Sequence, residues 1–121
     1  MLSFLVPREH SPGERRVAAT PETVRRLKGK GVSVTVERGA GLKAGFRDDD
    51  FLAVGAELAP EDGLSWEGAD GVLCVQAPPI ESLQRLRPGA LLVGLLSPYG
   101  ATKLTETLNG REASAIALEL L

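Results

Sequence analysis

The sequence is poor in the side chains that most often bind metals or act as nucleophiles. Its 121 residues include one cysteine and one histidine. The lone cysteine, Cys74, has no internal disulfide partner, which suits a reducing compartment such as the cytosol. The lone histidine, His10, has no second imidazole with which to share a metal. Apolar runs are short, and none approaches the ~20 residues that cross a bilayer. An excess of either charge is also missing. Fourteen Lys and Arg stand against sixteen Asp and Glu, a formal net charge of −2. No basic footprint for nucleic acid follows from that balance. Disorder needs low hydrophobicity and high net charge, and the chain has neither, with 43% hydrophobic and 25% charged residues. The start, Met1-Leu2-Ser3-Phe4-Leu5-Val6-Pro7-Arg8, lacks a positive segment before its apolar run and does not read as a signal peptide. The length predicts one domain over 1–121.

What is present alternates between two periods. Leu2 to Val6 is a short apolar run stopped by Pro7, as expected of a strand covered on both faces. A polar loop follows, and then a helix start. Thr20 is placed to cap, Pro21 sits where its missing N–H costs nothing, and Glu22 complements the positive helix end. Val24 and Leu27 share a face, and Gly31 provides a left-handed stop. Val32, Val34 and Val36 alternate with Ser33, Thr35 and Glu37, which predicts a strand with one less-buried face. A short helix starting at Asp48 or Asp49 carries Phe51, Leu52 and Val54. Ala56 to Leu58 is an edge-strand candidate, and Leu64 and Trp66 suit a helical turn. Gly71 to Gln76 and Ala90 to Leu96 are buried strands. Ile80, Leu83 and Leu86 mark a helix between them, ended by Pro88-Gly89. Ala101 to Leu108 is a helix with Leu104 and Leu108 inward, stopped by Asn109-Gly110. Ala113 to Leu118 is the last strand. Strand and helix in repeated alternation imply an α/β fold: a three-layer, flavodoxin-like, doubly wound, mainly parallel sheet. The last strand has no helix after it, so its cover is expected from another segment or chain, unless it is simply an edge strand.

Each candidate for chemistry has a plainer rival. Gly39-Ala40-Gly41-Leu42-Lys43-Ala44-Gly45 resembles a phosphate loop, but its spacing is one residue too long. The acids Asp48-Asp49-Asp50 follow it where an apolar helix would be needed. An ordinary connecting loop is the better reading. Those three acids could hold a metal or a phosphoryl group, yet at a helix start they cap and favour the dipole. Ser97 follows a strand, but Pro98 comes next and no nucleophile-elbow pattern surrounds it, which weakens a His10–Ser97 hydrolase. Cys74 between Leu73 and Val75 reads as a buried, inert thiol. Arg15 and Arg16 lie past the first strand's carboxyl end, where an arginine can fork onto a carboxylate or phosphate. Gln76 ends a strand at the same sheet edge. Solvated and turn-satisfying roles are the ordinary alternatives for these residues.

Taken together, the ordered pieces resemble one family along essentially the whole chain. They are Val6-Pro7-Arg8-Glu9, Gly13-Glu14-Arg15-Arg16-Val17-Ala18-Ala19-Thr20-Pro21, Val36-Glu37-Arg38-Gly39-Ala40-Gly41, Gly55-Ala56-Glu57, Leu73-Cys74-Val75-Gln76-Ala77-Pro78 and Leu86-Arg87-Pro88-Gly89-Ala90. This pattern is similar to the N-terminal lobe of proton-translocating NAD(P) transhydrogenase alpha subunits and of alanine dehydrogenases. In alanine dehydrogenases, the resemblance implies, the arginine matching Arg16 grips the substrate carboxylate. There a lysine stands where Gln76 is, and a catalytic histidine lies near Ser97. Both the lysine and the histidine are missing here, and neither amide nor hydroxyl replaces an imidazole that exchanges protons near neutral pH. The stretch Leu95-Leu96-Ser97-Pro98-Tyr99 looks more like the transhydrogenase version.

The resemblance carries further expectations. NAD is the implied cofactor, bound mainly by a Rossmann lobe whose glycine fingerprint this chain lacks. A connecting stretch with an arginine–glutamine–aspartate–serine set is expected to position the nicotinamide. Implied partners are that Rossmann lobe, a membrane domain and an NADP-binding subunit, and a homodimer is admitted. No nucleic acid and no direct membrane insertion are expected. The implied place is the cytoplasm, at the inner membrane's cytoplasmic face through partner subunits. Arg16 and Gln76 carry over as cleft-lining, cofactor-binding candidates, with no catalytic or metal residue assigned. A lobe of an alanine or saccharopine-type NAD-dependent dehydrogenase is the alternative, and a non-catalytic partner-binding lobe is a third reading.

Overall fold

The computed structural model describes residues 2–59, 65–96 and 102–118. Strand β1 (Ser3–Val6) leads to helix α1 (Pro21–Gly29) and strand β2 (Ser33–Glu37). The capping residues of α1 act as their types dictate. Thr20 Oγ1 accepts the Thr23 N–H at 3.2 Å, Pro21 opens the helix, and Gly31 lies just beyond it with a φ of 85°. Helix α2 (Asp48–Ala53) and the three-residue strand β3 (Glu57–Ala59) follow. Then come α3 (Ser65–Gly68), β4 (Gly71–Gln76), α4 (Ile80–Leu83), β5 (Leu91–Leu95), α5 (Thr102–Gly110) and β6 (Ser114–Ala117).

The six strands of the described residues are all parallel, in the order β3-β2-β1-β4-β5-β6. Without the short edge strand β3, the other five run in the flavodoxin order, so the expected doubly wound fold is the one found. Two chain directions leave β1, one toward β2 and β3 and the other toward β4, β5 and β6. The boundary between them, at β1 and β4, is the switch point of the sheet.

Successive strand residues serve opposite layers. Leu5 joins Trp66, Val72, Leu83, Leu92, Leu104 and Leu108 on one face. Val6 joins Val24, Val34, Val36 and Phe51 on the other. Completely burying a side chain such as Phe51 or Leu92 contributes about 1.5–3 kcal/mol. Helices α1 and α2 pack on β2 and β3. On that same face, past β4, Leu91, Val93 and Leu95 stay half-buried, and Ile116 and Leu118 are 40% and 44% exposed. The last strand is thus open on one side among the described residues.

Several local expectations shift. The α4 helix is a single turn rather than a run to Leu86, although Leu86 is fully buried in the turn that follows. Helix α5 continues through Asn109-Gly110 instead of stopping before it. Glu37 does not share the half-open character of Ser33 and Thr35. It is 5% exposed, and its Oε1 accepts the Arg8 backbone N–H at 2.8 Å.

Candidate functional site

Ligands of open α/β sheets gather outside the carboxyl ends of the strands, at the switch point. Here that crevice receives the loop after β1, the end of β4 and the turn after β2. Strand β1 stops at Val6, while β4 runs on past the last residue paired with it. Pairing of β4 with β5 also slips between Leu73 and Gln76. A bulge of this kind breaks the alternation of N–H directions. The freed N–H groups of Val75 and Gln76 both donate to the Glu9 carboxylate, at 2.8 and 3.0 Å. Burial pushes the Glu9 carboxyl above its usual range, against the lowering effect of those two hydrogen bonds.

Glu14 lies at the centre of the cluster. One oxygen accepts from Arg16 Nη2 and from Gln76 Nε2, both at 2.9 Å. The other accepts from Arg16 Nε and from the Arg16 backbone N–H, both at 2.9 Å. The Glu14 side chain is 7% exposed and that of Arg16 62%. The Arg16 guanidinium, helped by the Gln76 amide, holds the Glu14 carboxyl far below the usual carboxylate range. Arg16 is shifted upward in return by the same pairing. The two residues singled out from sequence, Arg16 and Gln76, are therefore brought together, but through an acid that sequence reasoning did not single out. A signal for Glu9 and Glu14 existed, since both are acids in a polar loop leaving the first strand at its carboxyl end.

Beside this cluster is a cavity of about 230 Å³, lined by Arg8, Glu9, Glu14, Arg16, Ala40 and Lys43 among others. Gln76 does not line it and reaches it only through Glu14. A somewhat larger hollow, about 290 Å³, lies against β1, β2 and α3 and is lined by Ser3, Thr35 and Ser65 among others. Among the described residues no charged groups of opposite sign converge there. Convergent polar groups rather than size mark the first cavity as the candidate site.

The glycine loop offers no phosphate cradle. The Gly39 N–H donates to Asp48 Oδ1 at 2.8 Å, the Ala40 N–H to the Glu37 carbonyl and the Leu42 N–H to the Gly39 carbonyl. Gly41 is glycine for packing, because a Cβ there would lie 2.6 Å from Phe51 Cε2. Asp50 caps α2 by accepting the Arg47 N–H at 2.8 Å. Two of the three acids, Asp48 and Asp50, thus serve local structure. His10 and Arg15 are exposed. Ser97, Pro98 and Tyr99 lie outside the described residues. Cys74 is buried, and burial pushes its thiol up to about 12.

This crevice, its loop and the sheet order can be set beside known proteins. The sequence profile of the alanine dehydrogenase/PNT N-terminal domain matches residues 5–121. The chain belongs to that family. It is 36% identical to the NAD(P) transhydrogenase subunit alpha of Cereibacter sphaeroides over 115 residues, which is 95% of this chain and 22% of that protein. It is 38% identical to the alanine dehydrogenase of Halomonas elongata over 120 residues, covering 99% of this chain and 32% of that one. The crystal structure of transhydrogenase from Sinorhizobium meliloti superposes with a TM-score of 0.93 at 30% identity, over 98% of this chain and 35% of that one. The chain thus spans roughly a fifth to a third of the relatives it matches. The part of the alanine dehydrogenase/PNT family that it matches is the N-terminal domain. Among its described residues no helix is long and apolar enough to cross a membrane.

Proposed function

We propose that this domain is the N-terminal lobe of the NAD(H)-side subunit of a transhydrogenase, which passes hydride from NADH to NADP+ in a reaction coupled to proton translocation. Its working partners on this reading are a Rossmann lobe, a membrane domain and an NADP-binding subunit, at the cytoplasmic face of the membrane. One observation carries the choice of branch. Gln76, where the alanine dehydrogenase pattern has a lysine, is a neutral amide that donates to Glu14. No second cation therefore stands beside Arg16 at that position to hold an amino-acid carboxylate.

The cavity fits a supporting role for the cofactor. Sites that enclose a drug-sized ligand take roughly 300–1,000 Å³. At about 230 Å³ this one is a wall rather than an enclosure, suited to one end of a dinucleotide held mainly elsewhere. Bound NADH would supply the hydride. This chain's part would be to offer Arg16 and its neighbours as a fixed polar wall, kept in place by Glu9 and Glu14. Assays of the complete protein separate the branches. NADH-dependent reduction of an NADP analogue is expected, and alanine-dependent reduction of NAD would overturn the proposal.

A further inference from the structure

The end of β4 is held by a carboxylate where a neighbouring strand would otherwise hold it. The N–H groups of Val75 and Gln76 donate to the two oxygens of Glu9 at 2.8 and 3.0 Å. Both oxygens must therefore be acceptors. A carboxylate meets that demand, whereas a carboxylic acid turns one of its oxygens into a donor. The two sides of Glu9 also differ in room. Toward Cys74 and His10 the gap measures about 10 Å³. On the other side Glu9 lines the cavity of about 230 Å³. Gln76 has a second tie, for its side-chain Nε2 donates to Glu14 at 2.9 Å. Its backbone and its side chain are thus fastened to two different acids of one loop.

We propose that Glu9 is a proton-operated latch on the end of β4. As a carboxylate it fixes Val75 and Gln76. On taking up a proton it lets go of one N–H, turns toward the cavity and loosens the side-chain bond from Gln76 to Glu14. The latch stands apart from the transhydrogenase reading and needs no ligand. Its physical basis is a change of hydrogen-bond sense. A new O–H facing an N–H is two donors meeting, and only the cavity has room for the turned carboxyl. Once the Gln76 backbone is released, nothing fixes the distance from its amide to Glu14. Burial opposes the charge on Glu9 while the two hydrogen bonds support it. Burial prevails, so the proton arrives in milder acid than at an exposed glutamate. The surrounding charges pull both ways. Within the same loop Glu14 favours the acid and His10 the carboxylate. Arg8 and Arg16 from that loop, and Lys43 from the turn after β2, line the cavity with positive charge. Glu37 of β2 is buried against the Arg8 N–H and adds a like charge. The Cys74 thiol of β4, pushed up to about 12, stays neutral.

NMR spectra of the full-length protein, labelled with 15N at valine and glutamine, follow the latch between pH 7 and pH 4. The Val75 and Gln76 backbone amides and the Gln76 side-chain amide are expected to move together, through one midpoint above pH 4.5. All three are expected to stand still in Glu9→Gln, which has the acid's one acceptor and one donor at every pH. Signals that do not move in the unaltered protein overturn the proposal. A side-chain amide that stays put while the backbone pair moves overturns it too, since release then stops at the backbone. So does a common midpoint that survives Glu9→Gln, because the proton would belong to Glu14 or His10. Should Glu9→Gln fail to fold, the 13C resonance of the Glu9 carboxyl in the unaltered protein takes its place. Its midpoint must coincide with that of the three amides, and a different midpoint refutes the latch.

Discussion

Glu9 and Gln76 lie 67 residues apart in sequence, yet the Gln76 backbone N–H donates to Glu9 Oε1 at 3.0 Å. The neighbouring Val75 N–H donates to the other oxygen at 2.8 Å. One carboxylate thus replaces the strand partner that β4 lacks beyond the end of β1. Replacing Glu9 with glutamine leaves one acceptor and puts an NH2 group against the other N–H. A half-buried backbone donor then goes unsatisfied, at a cost of about 1–3 kcal/mol. Urea unfolding of Glu9→Gln should show that loss with an unchanged slope. A midpoint equal to that of the unaltered protein would show that water substitutes freely for the carboxylate.

Glu9 also marks where sequence reasoning stops. Local signals were legible wherever local physics decides the outcome. Thr20, Pro21 and Glu22 opened α1 as their types predict, and the Val32-Val34-Val36 alternation placed β2. The parallel, doubly wound sheet followed from alternation of elements, and family motifs reached across the chain. Arg16 and Gln76 drew notice from sequence because one lies past the end of β1 and the other ends β4, both at the sheet's carboxyl edge. Glu14 shares the loop position of Arg16, but its bond to Gln76 spans 62 residues and has no local signal. Glu37 was misread for the same reason, because strand alternation cannot register that the loop after β1 folds over it. Helix α4 shortened because Leu86 reaches the core from a turn as well as it would from a helix.

Cys74 should be inert. Its Sγ–H donates to the Val93 carbonyl at 3.4 Å, and burial, reinforced by the charge of Glu9, pushes the thiol up to about 12. Thiolate is the reactive form. The gap beside it, lined by Glu9, His10 and Gln76 among others, measures about 10 Å³ and admits one water at most. Iodoacetamide at pH 8 should leave the native protein unlabelled and label it in urea. Rapid labelling of the native state would contradict the burial.

Thr20 should matter more than its position in a loop suggests. Its Oγ1 accepts the Thr23 N–H at the start of α1, and α1 seats the fully buried Val24. Thr20→Ala is expected to cost about 1 kcal/mol of stability, and Thr20→Ser to recover most of it. Thermal or urea unfolding of the pair measures both. Equal loss in the two variants would point to the methyl group rather than the cap.

The acid side of the stability profile should belong largely to Glu14. Its carboxyl is held below the ordinary value of 4.5, first by the Arg16 side chain and then by Gln76. A carboxyl lowered on folding binds fewer protons in the folded state than in the unfolded one. The stability it lends is present above pH 4.5 and drains away as the pH falls below that value. Glu22, lowered by Arg25 and Arg26, acts with the same sign. Glu9 acts oppositely: its carboxyl is raised by burial, so its contribution is lost as the pH climbs from 4.5 through the raised value. Glu14→Gln should therefore be less stable than the unaltered protein at pH 7, and the gap should narrow steadily toward pH 3. Glu9→Gln should instead flatten the decline on the upper side. Urea midpoints across that range decide the matter, and a constant gap for Glu14→Gln would mean that its charge does not couple to folding.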